Sequence, residues 1–149
     1  MKITELLTVE HTVYLGVFDQ IERVLPSLST PSEVRTMANI VEGLLEGHAA
    51  RESNLAYLAL DHVLAEKGHL ERMHQDHHEI DSRLKKVQGA GTCAEARRLL
   101  QDTLRASREH FHLEEKVVFP IMEKLLQPET LTALGRSWIT RSPQLVESR

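Results

Sequence analysis

His48 and Glu52, His74 and His78, and His110 and Glu114 form three pairs of metal-ligating side chains, each spaced four residues apart, and His11 adds a lone imidazole upstream. On a helix a spacing of four puts two side chains on one face about one turn apart. Each of three helices can therefore offer two donors to one site. Imidazole and carboxylate without thiolate suit iron, manganese, zinc or copper, and a closed zinc site wants only four ligands, so seven donors point to two metals. A di-iron carboxylate bundle would need a Glu from each of two helices and a Glu-x-x-His pair from each of two others. Only Glu71 and His74 have that spacing, which favours the histidine-rich arrangement.

The helices that must position these groups are readable from breakers and apolar periodicity. Apolar residues recur every three or four positions with no strand-like alternation, which predicts an all-α chain. A first helix is expected from about Thr8 to Leu25, with Leu7, His11, Phe18 and Leu25 on one stripe and Pro26 as its stop. Thr30-Pro31-Ser32-Glu33 opens a second helix with a capping threonine, a proline in the first turn and a glutamate that completes a capping box. Its core stripe reads Val34, Met37, Val41, Leu44, His48, Glu52, Leu55, so His48 and Glu52 stand where apolar residues belong. An unpaired charge buried there would cost several kcal/mol, so Glu52 requires compensation.

The second helix should end between Asp61 and Gly68, with Gly68 as a C-terminal stop. A third helix carries Leu70, Met73, Ile80, Leu84 and Val87 inward up to Gly89-Ala90-Gly91. Thr92 and Glu95 form a second capping box, opening a fourth helix that runs to about Leu126. At about 100° per residue, Glu114 sits near the centre of that helix's apolar arc and Glu115 at its edge. On the third helix the same wheel puts His77 closest to the apolar centre, with His74 to one side and His78 further round, so two of the three face inward and phase does not select the pair. Leu131, Leu134 and Trp138 predict a short helix over about 128–138, followed by a frayed tail over 141–149. The expectation is one domain over 1–149, an up-down-up-down four-helix bundle over about 8–126 with a short fifth helix, in which the site is built from facing helices.

Bulk properties narrow the function. The chain has 149 residues, enough for one domain with a sizeable core, and a net charge of −4 with no basic stripe, which disfavours nucleic acid as a partner. No apolar run approaches the roughly 20 residues of a membrane span, and the start of the chain has no signal-peptide core, which points to a cytoplasmic protein. The one cysteine, Cys93, reads as an inert thiol near a turn. Nine histidines are several times ordinary usage, and His62, His69 and His112 fall outside the pattern, as surface residues. The competing structural reading is a bundle whose histidines only fill a polar core.

In sum of motifs, the sequence resembles the hemerythrin-like family, also described as HHE cation-binding domains, over about Thr8 to Leu126. That family's pattern is a lone histidine, then His-x-x-x-Glu, then His-x-x-x-His, then a histidine followed by a carboxylate. The run from His110 to Pro120, with His-x-x-x-Glu-Glu followed by Phe-Pro, is similar to one found in bacterial members. The resemblance implies His11, His48, His74, His78 and His110 as terminal iron ligands, and Glu52 and Glu114 as carboxylates bridging two iron ions that also share an oxo or hydroxo group. The His74/His78 pairing rests on this resemblance together with the spacing. The family's oxygen carriers often have an aspartate five residues after the last histidine, where this chain has Glu115. The implied function is binding of dioxygen or a related small ligand such as nitric oxide or peroxide. The alternatives are an iron or redox sensor signalling to a protein partner, and a peroxide-consuming di-iron enzyme. Tyr14, Phe18 and Phe111 are the side chains expected near an open coordination position.

Overall fold

The computed structural model describes residues 1–64 and 70–140 in full and residues 68 and 69 as backbone. Among these, all regular structure is helical. Helix α1 spans Ile3–Val24 and ends in a 3₁₀ turn over Leu25–Ser27, and α2 spans Pro31–Glu52. A π-turn over Ser53–Tyr57 carries α2 into the short α3, Leu58–Asp61. Helix α4 is Gly68–Gln88 and α5 is Cys93–Leu113. A second π-turn, Glu114–Val118, leads into α6, Phe119–Leu125, and α7 is Pro128–Thr140.

Both threonine caps form as expected, while each glutamate of the expected capping boxes reaches one residue further back, to the amide before the cap. Thr30 Oγ1 accepts the Glu33 amide at 3.3 Å while Glu33 accepts the Ser29 amide at 2.9 Å. Thr92 accepts the Glu95 amide at 3.2 Å while Glu95 accepts the Gly91 amide at 3.1 Å. Free amides at both helix starts are thereby satisfied.

Two boundaries differ from the sequence expectation. Helix α1 begins five residues early, because Ile3 and Leu7 are both fully buried and Glu5 accepts the Lys2 amide at 2.8 Å. Gly68 opens α4 instead of stopping α2, whose helical path already ends at Asp61. The fifth helix is present as α7. Gly135 of α7 lies so close to the Met1 carbonyl and the Ile3 amide that a β-carbon there would collide with backbone. The tail over 141–149 lies outside the described residues.

The core is two apolar clusters. One gathers Phe18, Ile21, Val34, Val41, Leu84 and Leu100, and the other Ile3, Leu7, Leu60, Met73, Met122 and Trp138. Each long helix passes from one cluster to the other. Helix α1 runs from Leu7 to Phe18, α2 from Val41 towards Leu55, α4 from Met73 to Ile80, and α5 from Leu104 towards Val118. At each crossing stand ionisable residues: His11, then His48 and Glu52, then His77, then His110 and Glu114. Five of these six are at most 2% exposed, and the side chain of His77 is 15% exposed.

Candidate metal centre

Six side chains meet in this polar layer as two overlapping groups. His11, His48, Glu52 and Glu114 form one, and Glu52, His77, His110 and Glu114 form the other, with the ligating atoms of each group all within 4.8 Å of one another. Glu52 and Glu114 belong to both. His11 and His48 face each other through Nε2 at 3.2 Å, and His77 and His110 do the same at 2.8 Å. Glu114 reaches His11 Nε2 at 3.3 Å with one oxygen and His110 Nε2 at 3.1 Å with the other. Glu52 Oε2 lies 3.7 Å from His48 Nε2 and 3.3 Å from His77 Nε2.

An outer ring of carboxylates fixes three of the imidazoles. His11 Nδ1 meets Glu115 at 3.0 Å, His48 Nδ1 meets Glu10 at 3.1 Å, and His110 Nδ1 meets Asp76 at 3.2 Å. A carboxylate can only accept, so the hydrogen of each contact belongs to Nδ1. Nε2 is left facing inward, where it can give its lone pair to a metal that displaces any proton it carries, the arrangement by which a second layer of carboxylates orients histidine ligands and raises their basicity. Arg51 holds Glu10 in place at 2.8 Å and lies 4.3 Å over the Trp138 ring.

The charges follow this packing. Burial alone would raise the Glu114 carboxyl, but His110 and His11 beside it hold it well below the usual carboxylate range. Burial pulls His110 down, yet Glu114 first, then Glu52 and Asp76, push it up to about 9. His48 is raised as well, Glu52 and Glu10 together outweighing its burial.

The donor set fits metal. Both oxygens of Glu52 and Oε2 of Glu114 are buried and make no hydrogen bond of good geometry, although imidazole nitrogens stand 3.3–3.7 Å from Glu52 Oε2 and Glu114 Oε2. A proton on one Nε2 can join one nitrogen pair, but those oxygens then remain orphaned at a cost of about 1–3 kcal/mol each or more. Cations held between imidazoles and shared carboxylates satisfy both sets of lone pairs together.

Comparison with protein-family models matches residues 2–122 to the hemerythrin HHE cation binding domain. The chain belongs to this family. Searches of curated proteins and of solved structures found no match.

Within this hemerythrin-like domain the structure brings together His11, His48, Glu52, His110 and Glu114, five of the seven candidate ligands named from the sequence. His74 and His78 stay outside: both are exposed. The reason is the register of α4. Its buried stripe is Leu70, Met73, Ile80, Leu84 and Val87, and the position that continues it between Met73 and Ile80 is 77. His77 therefore takes the inward place that the His74/His78 pairing had assigned to its neighbours, as the helical wheel had indicated. His74 instead packs its edge on Tyr57, with ring centroids 5.4 Å apart. Glu114 is central and fully buried, and Glu115 is the partner of His11.

Four residues escaped the sequence reading. Glu10 and Asp76 immediately precede the inward histidines His11 and His77 and so lie at the edge of the same face, a signal that was available. Arg51 gave no such sign. Tyr57 was hidden by the π-turn: five residues after Glu52 an α-helix points about 140° away, at 100° per residue. The i→i+5 turn brings position 57 back towards the face of Glu52. The Tyr57 hydroxyl donates to Glu114 Oε1, and burial together with Glu52 and Glu114 pushes this phenol far above its ordinary pKa. His62 and His112 are exposed, as expected, and the His69 side chain lies outside the described residues.

A cavity of about 300 Å³ opens between α2, α4 and α5. It touches His48, His77 and His110, has apolar walls from Leu45, Ala49, Ile80, Leu84 and Phe111, and has acidic Glu42, Glu46 and Asp81 along it. Of the aromatic side chains expected near an open position, Phe111 lines this cavity. Tyr14 packs edge-on against His48 at 5.4 Å, and Phe18 lies against Phe111.

Proposed function

We propose that the domain holds two iron ions and that the loaded centre binds dioxygen or a related small ligand such as nitric oxide or peroxide. The observation that carries this is the placing of Glu52 and Glu114 between two imidazole pairs, where each could serve as a carboxylate shared by two cations. His11 and His48 would serve one ion and His77 and His110 the other, with a solvent-derived oxo or hydroxo group between them. When bound, an iron pair supplies exchangeable coordination positions and two one-electron redox changes.

The chain's own groups prepare that chemistry. Glu10, Asp76 and Glu115 fix ring orientation and keep Nε2 free to bind metal. Four inward imidazoles in place of five leave more of the coordination sphere to an outside ligand. The cavity, with apolar walls and acidic side chains along it, would admit a small neutral molecule to His48, His77 and His110. The alternating passage of α1, α2, α4 and α5 between the two core clusters supports an up-down-up-down bundle as the frame, within a single domain. No helix among the described residues is long and apolar enough to cross a membrane, and we assign the protein to the cytoplasm.

A second reading, an iron or redox sensor, is favoured by one feature. Trp138 of α7 packs 5.6 Å from the His48 ring and also under Arg51, which holds the Glu10 partner of His48. A change at His48 is thus felt by α7.

The test is anaerobic loading with ferrous iron, an iron count, and visible spectra in argon, in air and in argon again. Two irons per chain and an air-dependent band support the proposal. No iron-dependent spectrum would sink it. A band that fades on return to argon means reversible dioxygen binding, a ferric spectrum that persists means a sensor or redox role, and multiple turnovers of added peroxide mean an enzyme.

A further inference from the structure

The two imidazole pairs are not equivalent in what stands beside them. One π-turn begins directly after Glu52 and the other begins at Glu114 itself, and five positions on from each shared carboxylate an aromatic residue stands near the centre. After Glu114 this is Phe119, which lies flat against His11 with centroids 5.6 Å apart. After Glu52 it is Tyr57, whose ring lies along His77 at 5.7 Å and whose hydroxyl touches Glu114 Oε1, the oxygen that is also 3.1 Å from His110 Nε2. The apolar aromatic thus walls the His11 pair, and the phenol is aimed at the His77 pair. That pair is also the one from which His74 and His78 are turned away. Tyr57 is 1% exposed, and its hydroxyl lies within the donor cluster itself.

We propose that Tyr57 is a metal ligand on the His77/His110 side of the centre. This rests on the iron reading above. On binding ferric iron the phenolic O–H bond breaks, the proton leaves to solvent, and the phenolate oxygen gives its lone pair to the metal in place of the hydrogen bond to Glu114. No electron moves in that step. An anionic oxygen donor favours ferric over ferrous iron, so the centre rests oxidised. The small ligand it is suited to meet is then peroxide, which reacts with a ferric centre, in preference to dioxygen, which requires a ferrous one.

The chain has two tyrosines, which makes the assignment testable. The hydroxyl of the other, Tyr14, is 3.3 Å from Glu10 and outside both donor groups. Wild-type protein, Tyr57→Phe and Tyr14→Phe are loaded with iron and oxidised. Iron per chain is counted, and resonance Raman spectra are excited in the visible band. The expected result is two irons in all three proteins, with phenolate ring modes and their charge-transfer band in wild type and Tyr14→Phe and lost in Tyr57→Phe. Tyr57→Phe should also be the more readily reduced. Two irons in wild type without phenolate modes, or modes that survive in Tyr57→Phe, overturn the assignment and leave the iron reading standing. Wild type without iron overturns both. The wild-type spectrum decides the question even if Tyr57→Phe fails to fold.

Discussion

The His11/His48 pair and the His77/His110 pair use the same two carboxylates but live in different surroundings. His11 has no exposed surface, Phe111 is stacked on it at 4.0 Å and Phe119 lies beyond, and its outer nitrogen is taken by Glu115. His77 keeps 15% of its side chain accessible, has a phenol at its side, and shares with His110 a cavity leading outward. His11 is enclosed by apolar rings, whereas His77 and His110, with His48 from the other pair, line the cavity. The difference teaches that two positions with equal donors need not have equal work: on the proposed reading the enclosed His11 half would anchor metal and the open His77 half would exchange ligands.

The largest effect expected from breaking this arrangement comes from the groups both halves share. Glu52→Ala should lower bound iron from two per chain to well under one, read by metal analysis after gel filtration. Retention of one tightly held ion would show that the halves bind independently.

Next come the histidines of α4. His77→Ala should remove one ion, from the open half, whereas His74→Ala and His78→Ala should keep both. A loss of iron in His74→Ala or His78→Ala with full binding in His77→Ala would reverse the assignment made from the register of Met73 and Ile80.

Smaller losses are expected from the outer carboxylates, whose removal typically costs 10–100-fold in metal affinity. Asp76→Asn should weaken the open half and Glu10→Gln the other, by competition against a chelator of known affinity. Equal effects from both on the same ion would erase the distinction between the halves.

The smallest effect concerns protons. In metal-free protein the His110 pKa is raised to about 9, against about 6.5 for an unfolded histidine. A raised value means that protonation favours the folded state, so this contribution is full below about pH 6.5 and is lost as pH rises through about 9. Glu114 and Glu10 are lowered, so their contribution is present above the ordinary carboxylate range and fades as pH falls. The melting temperature of metal-free protein should therefore decline from pH 6.5 towards 9. Loading at pH 7 should release protons, measurable by calorimetry in buffers of different ionisation enthalpy.

Most of the scaffold was legible in the sequence because its signals are local. Thr30 with Glu33 and Thr92 with Glu95 set helix starts through bonds three residues long, and the stripe of α4 follows a regular period. At the site, the structure brings together His48 with Glu52 and His110 with Glu114, as a four-residue spacing on a regular helix requires, and His11, as its place on the apolar stripe of the first helix requires. Where the structure arranges residues differently from the sequence expectation, there are two physical reasons. The choice among His74, His77 and His78 depends on the phase of the whole of α4 against its neighbours, and spacing pulled against that phase. Tyr57 depends on an extra residue in a helical turn, which no constant angle per residue can reproduce.

The division of the core has a consequence for how the molecule opens. The cluster around Phe18, Val34 and Leu100 is bounded by two capped helix starts, while the cluster around Leu7, Leu60 and Met122 meets it only across the layer of ionisable groups. Such a layer, without cations, is where cooperativity between the ends is weakest, so the two ends should behave as separate units of local unfolding. Backbone amides of residues 55–60 and 118–126 should exchange with deuterated solvent much faster in metal-free protein than in loaded protein, and those of residues 34–45 and 96–104 should change little. A uniform change along the chain would mean that the two ends melt as one.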